Sequence, residues 1–118
     1  MAVNQKVLEK SNELGEAYSM GMGLGTVEYK KAQEEYFRVL EEELRKEPDN
    51  GWIDIENPKD FLYEMIEESD ARYLADALYL YMRFCKVVED VTGKNVTDIN
   101  LVVEATNTIV REMNEKAD

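Results

Sequence analysis

Carboxylates are the side chains best able to do chemistry in this sequence of 118 residues. Residues 34–70 hold 14 acidic side chains against four basic ones, a local net charge of −10 in a chain of −12. A field of this sign attracts basic protein surfaces or cations and repels nucleic acid and anionic membranes. Twelve of these carboxylates are predicted to form a partner-binding surface: Glu34, Glu35, Glu41, Glu42, Glu43, Glu47, Asp49, Asp54, Glu56, Glu64, Glu67 and Glu68.

Histidine is absent and there is one cysteine, Cys85. The absence of imidazole excludes Ser–His and Cys–His nucleophile pairs and any zinc site that uses histidine. Cys85 falls among apolar residues, where a free thiol usually behaves as a small hydrophobic side chain. With no disulfide and no signal-peptide pattern, the composition favours a reducing cytoplasm. No catalytic residue, metal site or cofactor is predicted.

A second patch, basic and aromatic, is predicted within the acidic protein. Arg72, Tyr79 and Arg83 share one side at helical spacing. Tyrosine and arginine are enriched in the hot spots of protein interfaces, so this patch is a candidate partner contact. The alternative is an ordinary solvated stripe with ion pairs four residues apart.

Three glycines at positions 21, 23 and 25 precede a predicted helix. Phosphate-binding loops follow a strand and use a different glycine spacing, whereas here a helix precedes. The run is therefore interpreted as a hinge or a close packing contact.

A magnesium-dependent enzyme is one candidate function, ranked below the two given at the end of this section. The glutamate-rich helices resemble those of the all-α nucleotide pyrophosphohydrolases, which hold magnesium with carboxylates on two helices. The resemblance implies Glu34 and Glu35 with Glu68 and Asp76 as the ligands. It is incomplete, because Tyr73 stands three residues before Asp76, where that class requires an acid.

Five amphipathic segments position these side chains. Their apolar spacing predicts helices over residues 3–20, 27–47, 58–68, 69–92 and 98–115. Helix caps are predicted at Thr26, Asn57, Thr97 and either Ser69 or Asp70, and Gly93 is predicted as a left-handed C-cap. Residues 52–55 alternate like a strand without a partner strand, so an extended loop is expected there. The fifth helix shows a clean apolar stripe, expected to be its buried side: Ile99, Val102, Val103, Thr106, Ile109, Val110 and Met113.

Together these features predict one all-α domain over residues 1–118, a compact bundle of about five helices around a central buried helix at residues 69–92. The expected function is non-enzymatic: binding to a basic protein surface, as an inhibitor or accessory factor of a nucleic-acid enzyme would, with no direct contact to nucleic acid or membrane. The alternative from another class is a homo-oligomeric structural protein or assembly chaperone that pairs through the apolar faces of its first and fifth helices.

Overall fold

The computed structural model describes residues 3–20, 27–68 and 71–117, and five α-helices make up most of them. The helices are α1 (Gln5–Met20), α2 (Val27–Lys46), α3 (Lys59–Glu68), α4 (Ala71–Thr92) and α5 (Ile99–Ala117). The predicted all-α class is confirmed, and each helix ends within two residues of its predicted position. The glycine run at positions 21, 23 and 25 and the predicted caps at Thr26, Ser69 and Asp70 lie outside the described residues.

Contacts divide the chain into two compact units. Unit 1 comprises Met1–Glu56 with Lys86–Asn95, and unit 2 comprises Asn57–Cys85 with Val96–Asp118. Helix α4 contributes its first part to unit 2 and its last turns to unit 1. The prediction of a single domain stays a prediction.

In unit 1, α1 packs against α2. Val7 and Leu14 of α1 are buried, as are Tyr36, Leu40 and Leu44 of α2, because spacings of seven and four residues place them on one side of each helix. The apolar side of α1 is thus buried by contacts within the chain. It is not open for pairing between subunits, contrary to what the homo-oligomer alternative requires of α1.

Asn4, which is not among the predicted caps, caps the N-terminus of α1. Oδ1 of Asn4 accepts hydrogen bonds from the backbone N–H groups of Lys6 (3.0 Å) and Val7 (3.2 Å). This satisfies two of the N–H groups that a helix start leaves without an intrahelical acceptor. The backbone N–H of Asn4 also donates to the carbonyl of Asp54, which ties the start of α1 to the turn after α2.

The prediction of an extended loop at residues 52–55 is wrong, because Gly51–Asp54 forms a 3₁₀ helix. The backbone N–H of Gly51 donates to the carbonyl of Glu47 (2.5 Å), so this turn continues directly from the end of α2. Ile55 is buried in this turn, whereas Ile53 is exposed.

In unit 2, α5 begins one residue later than predicted. Oδ1 of Asp98, rather than Thr97, caps the helix by accepting from the N–H of Leu101 (3.2 Å). Asp98 is fixed in addition by Lys59 (Nζ to Oδ2, 3.2 Å) and by the Tyr81 hydroxyl, which accepts from its backbone N–H (2.9 Å). The predicted cap of α3 is confirmed, since Oδ1 of Asn57 accepts from the N–H of Lys59 (2.9 Å).

Helix α4 is buried along most of its length, as predicted for the central helix. Its buried residues are Ala71, Leu74, Ala77, Leu80, Tyr81, Phe84, Cys85 and Val88. Cys85 is a buried free thiol. Met82 departs from the prediction, because half of its side chain is exposed. Gly93 ends the helix with φ of +76° and donates its N–H to the carbonyl of Glu89 (2.8 Å), which confirms the left-handed cap.

The predicted buried side of α5 is wrong. Its buried residues are Leu101, Ala105 and Thr108. Four members of the predicted stripe are at least half exposed: Ile99 (63%), Val103 (50%), Val110 (50%) and Met113 (59%). At 100° per residue, the centre of this stripe lies about 140° from the centre of the buried side. Helix α5 therefore buries its less apolar side and presents its more apolar side to solvent.

Candidate interaction surfaces

The carboxylates in the second half of α2 are paired within the chain. Arg38 donates to both Glu35 and Glu42 (Nη1 to Oε1 of Glu42, 2.7 Å), and Arg45 contacts Glu41 (2.6 Å). The bond from Arg38 is the main reason why the pKa of Glu35 lies below its ordinary value. All these side chains are substantially exposed. The pairs sit three or four residues apart, the spacing that brings side chains together on a helix.

Glu43 is held more tightly than its neighbours. Its side chain is only 10% exposed. Oε2 contacts Nζ of Lys46 (2.6 Å), and Oε1 accepts from Nδ2 of Asn4 (3.1 Å). These bonds, with that of Lys46 the larger, lower the pKa of Glu43. Glu43 thus joins α2 to the capped start of α1 and is less exposed than its neighbours, and its role as a partner contact stays a prediction.

The remaining predicted members in unit 1 lie at and beyond the end of α2. Glu47 and Asp49 are exposed, and the backbone carbonyl of Asp49 accepts from Nζ of Lys94 (2.6 Å). Asp54 and Glu56 are half-buried, and their backbone carbonyls bind Asn4 and Tyr36 respectively. Near the start of the acidic block, Glu34 is exposed on α2.

Helix α3 in unit 2 carries a continuous acidic side. Glu64, Glu67 and Glu68 are exposed, and so is Asp60, which was not among the predicted contacts. At 100° per residue the four carboxylates span about 100° of the helix, opposite the buried Leu62. The sequence does carry a signal for Asp60 as a member of this side, because Asp60 stands four residues before Glu64 and residues four apart on a helix share a side.

The basic residues of the acidic block are all engaged elsewhere. Arg38, Arg45 and Lys46 pair within α2, and Lys59, at the start of α3, pairs with Asp98. Among the described residues, no ion pair reaches the four carboxylates of the α3 acidic side. Charge is thus balanced along the second half of α2 and concentrated on α3.

The structure brings the second predicted patch together on α4. Tyr79 is 52% exposed, Arg72 is exposed and Arg83 is half-buried. The guanidinium of Arg72 lies 4.7 Å from the centre of the Tyr73 ring and donates to its hydroxyl (2.9 Å). Tyr79 and the half-exposed Met82 form the apolar part of this surface.

Within residues 3–20, 27–68 and 71–117, no group of three or more His, Cys, Asp or Glu side chains is arranged to hold a metal ion. Of the set implied by the pyrophosphohydrolase resemblance, Glu34 and Glu35 lie in unit 1 and Glu68 and Asp76 in unit 2, and the magnesium-enzyme alternative stays a prediction. None of the helices, over the same residues, combines the length and apolarity needed to cross a membrane.

Comparison with known proteins adds no relative: no protein family, no curated protein and no solved structure matches the chain.

Proposed function

We propose that this protein is a non-enzymatic binding protein that recognises a basic protein surface through the acidic side of α3. The single observation that carries the proposal is the exposure on one side of that helix of four carboxylates that no ion pair among the described residues reaches: Asp60, Glu64, Glu67 and Glu68. A protein of this kind would act as an inhibitor or accessory factor of an enzyme that itself carries a basic surface.

The arrangement on α3 is unfavourable for the helix taken alone. Like charges four residues apart destabilise a helix by a few tenths of a kcal/mol per pair. Glu67 and Glu68 also lie in the last turn, where the helix dipole disfavours negative charge. Features that break a local rule without a compensating contact tend to be functional. In α2 the same argument fails, because bases three or four residues away compensate Glu41 and Glu43.

Electrostatic recognition of this type has a physical signature. Surface charge mainly accelerates association and selects the sign of the partner, and both effects weaken as salt screens the charges. The basic and aromatic patch around Tyr79 would add a contact of the type found at interface hot spots. The proposal therefore predicts a partner with a basic surface and an affinity that depends on ionic strength.

The test is affinity capture from the native host followed by mass spectrometry, with two charge-matched variants. E64K/E67K alters the acidic side of α3, whereas E9K/E16K alters two exposed glutamates of α1. Each variant changes the net charge from −12 to −8. A basic partner that is retained by the wild type and by E9K/E16K but lost with E64K/E67K supports the proposal. Equal loss with both variants would show a non-specific charge effect and contradict it.

A further inference from the structure

We propose that Asn50 is an irreversible modification site, which loses its side-chain amide when the turn after α2 opens and then destabilises that turn. Asn50 is the only asparagine in the sequence that is followed by glycine. It is exposed, and its side chain makes no capping hydrogen bond to the 3₁₀ helix that follows. An asparagine before glycine can react with its own chain, because no side chain on the next residue hinders the approach of the backbone nitrogen.

The reaction needs only water in addition to the chain. The backbone nitrogen of Gly51 attacks Cγ of Asn50, an N–C bond forms, and Nδ2 leaves as ammonia with the proton of the Gly51 N–H. The product is a five-membered succinimide ring, which water then opens. Cleavage between the nitrogen and Cγ gives aspartate. Cleavage between the nitrogen and the main-chain carbonyl carbon gives isoaspartate, whose backbone is longer by one methylene.

The folded turn keeps the nucleophile away from Cγ. Ring closure requires the Gly51 nitrogen to eclipse Cβ of Asn50 about the bond between Cα and the carbonyl carbon. This corresponds to a ψ of about −120°, because the substituents of a tetrahedral carbon are about 120° apart in projection. The structure has a ψ of −4° at Asn50. The reaction therefore requires a rotation of roughly 120° about this bond.

Hydrogen bonds and packing oppose that rotation. The Gly51 N–H donates to the carbonyl of Glu47 (2.5 Å), and the carbonyl of Asn50 accepts from the N–H of Ile53 (3.1 Å). Gly51 is buried, and a Cβ at this position would lie 3.3 Å from Cβ of Glu47. The peptide between Asn50 and Gly51 can rotate only when the turn opens. The rate of modification should therefore follow the population of the open state.

The isoaspartate product cannot rebuild the closed turn. A methylene inserted before Gly51 displaces its N–H from the carbonyl of Glu47, and the close packing at Gly51 leaves no room for the longer backbone. The same turn holds the start of α1, because the carbonyl of Asp54 accepts from the N–H of Asn4. Modification should therefore lower the stability of unit 1, and a modified chain should open more often than a fresh one.

Peptide mapping by mass spectrometry, with chromatographic separation of aspartate from isoaspartate, tests the proposal. The wild type is incubated at mildly alkaline pH, either folded in buffer or unfolded in urea. Conversion of Asn50 should be at least roughly tenfold faster in urea, whereas Asn12, which is exposed in α1 and followed by glutamate, should stay unmodified over the same time. At intermediate urea the rate should follow the unfolded fraction. Equal rates in buffer and in urea, or no conversion in urea, would overturn the proposal.

Two variants separate the reaction from its consequence. G51A, assayed in urea so that its effect on folding plays no part, should convert at least roughly tenfold more slowly than the wild type. N50D carries the new carboxylate without the extra methylene, so its urea midpoint should lie close to that of the fresh wild type. The purified isoaspartate form should unfold at a lower urea concentration. A G51A chain that reacts as fast as the wild type, or an isoaspartate form as stable as N50D, would contradict the proposal.

Discussion

Replacement of Asn4 by alanine should destabilise unit 1 by about 2 kcal/mol. Loss of an N-cap side chain costs typically ~1 kcal/mol, and Asn4 caps α1 through the N–H groups of Lys6 and Val7. A hydrogen bond to a charged group contributes about 1.5–3 kcal/mol. A value below that range, about 1 kcal/mol, applies to the bond from Asn4 to Glu43, because Glu43 keeps Lys46 as a second partner.

Urea unfolding followed by Trp52 fluorescence measures this change. Trp52 is the only tryptophan and lies in the 3₁₀ helix to which the backbone of Asn4 is bonded through Asp54. The unfolding midpoint should fall with an unchanged slope, and the thermal midpoint should fall by roughly 8 °C. N4S keeps a capping oxygen but loses the amide donor, so it should show about half the effect.

The control for this prediction is N12A. Asn12 is exposed within α1, where alanine has the higher helix propensity, so stability should stay the same or rise slightly. If N4A unfolds within about 0.5 kcal/mol of the wild type, the cap and the bond to Glu43 are not what joins α1 to α2.

Two further predictions concern Glu43 and α5. Because the folded-state pKa of Glu43 is depressed below its ordinary value of 4.5, the carboxylate stabilises the fold fully above that pH and loses its contribution as the pH falls through the folded pKa. Urea midpoints should therefore separate the wild type from E43Q at pH ~7, and this separation should shrink as the pH falls below ~4.5; a constant gap would contradict this. On α5, L101A should cost about 3 kcal/mol, whereas V103A should change stability by less than about 0.5 kcal/mol, and the reverse order would show that the buried side is assigned wrongly.

Local sequence signals predict the helices well. Turn residues separate the segments, and Asn57 and Gly93 act as caps in the way their backbone preferences predict. The alternation of apolar and polar residues at 52–55 led to the wrong prediction of an extended loop, because four residues are too few to decide between an extended segment and a turn. What decides is the bond from the Gly51 N–H to the carbonyl of Glu47, which continues the end of α2.

Contacts between residues far apart in the chain could not be predicted from the sequence. Glu43 looks like Glu41 and Glu42 in the sequence, and only the structure shows its partner Asn4, 39 residues away. The error on α5 has a related cause. Periodicity identifies the most apolar side of a helix but not which side the rest of the chain covers. The covered side contains only Leu101, Ala105 and Thr108, and is the less apolar of the two.

The position of the exposed acidic surface also depends on contacts that the sequence does not show. In the sequence, the carboxylates of residues 34–68 form one acidic block. In the structure, the second half of α2 balances its charge internally, and the exposed, concentrated charge lies on α3. That difference sharpens the functional proposal from a block of sequence to one side of one helix.

The affinity for the captured partner, measured against salt concentration, tests the central claim most directly. Recognition through the acidic side of α3 predicts at least a tenfold loss of affinity between about 50 and 300 mM salt. It also predicts a loss of similar size at low salt for E64K/E67K, with little change for E9K/E16K. An affinity that is independent of salt and unaffected by E64K/E67K would contradict the claim.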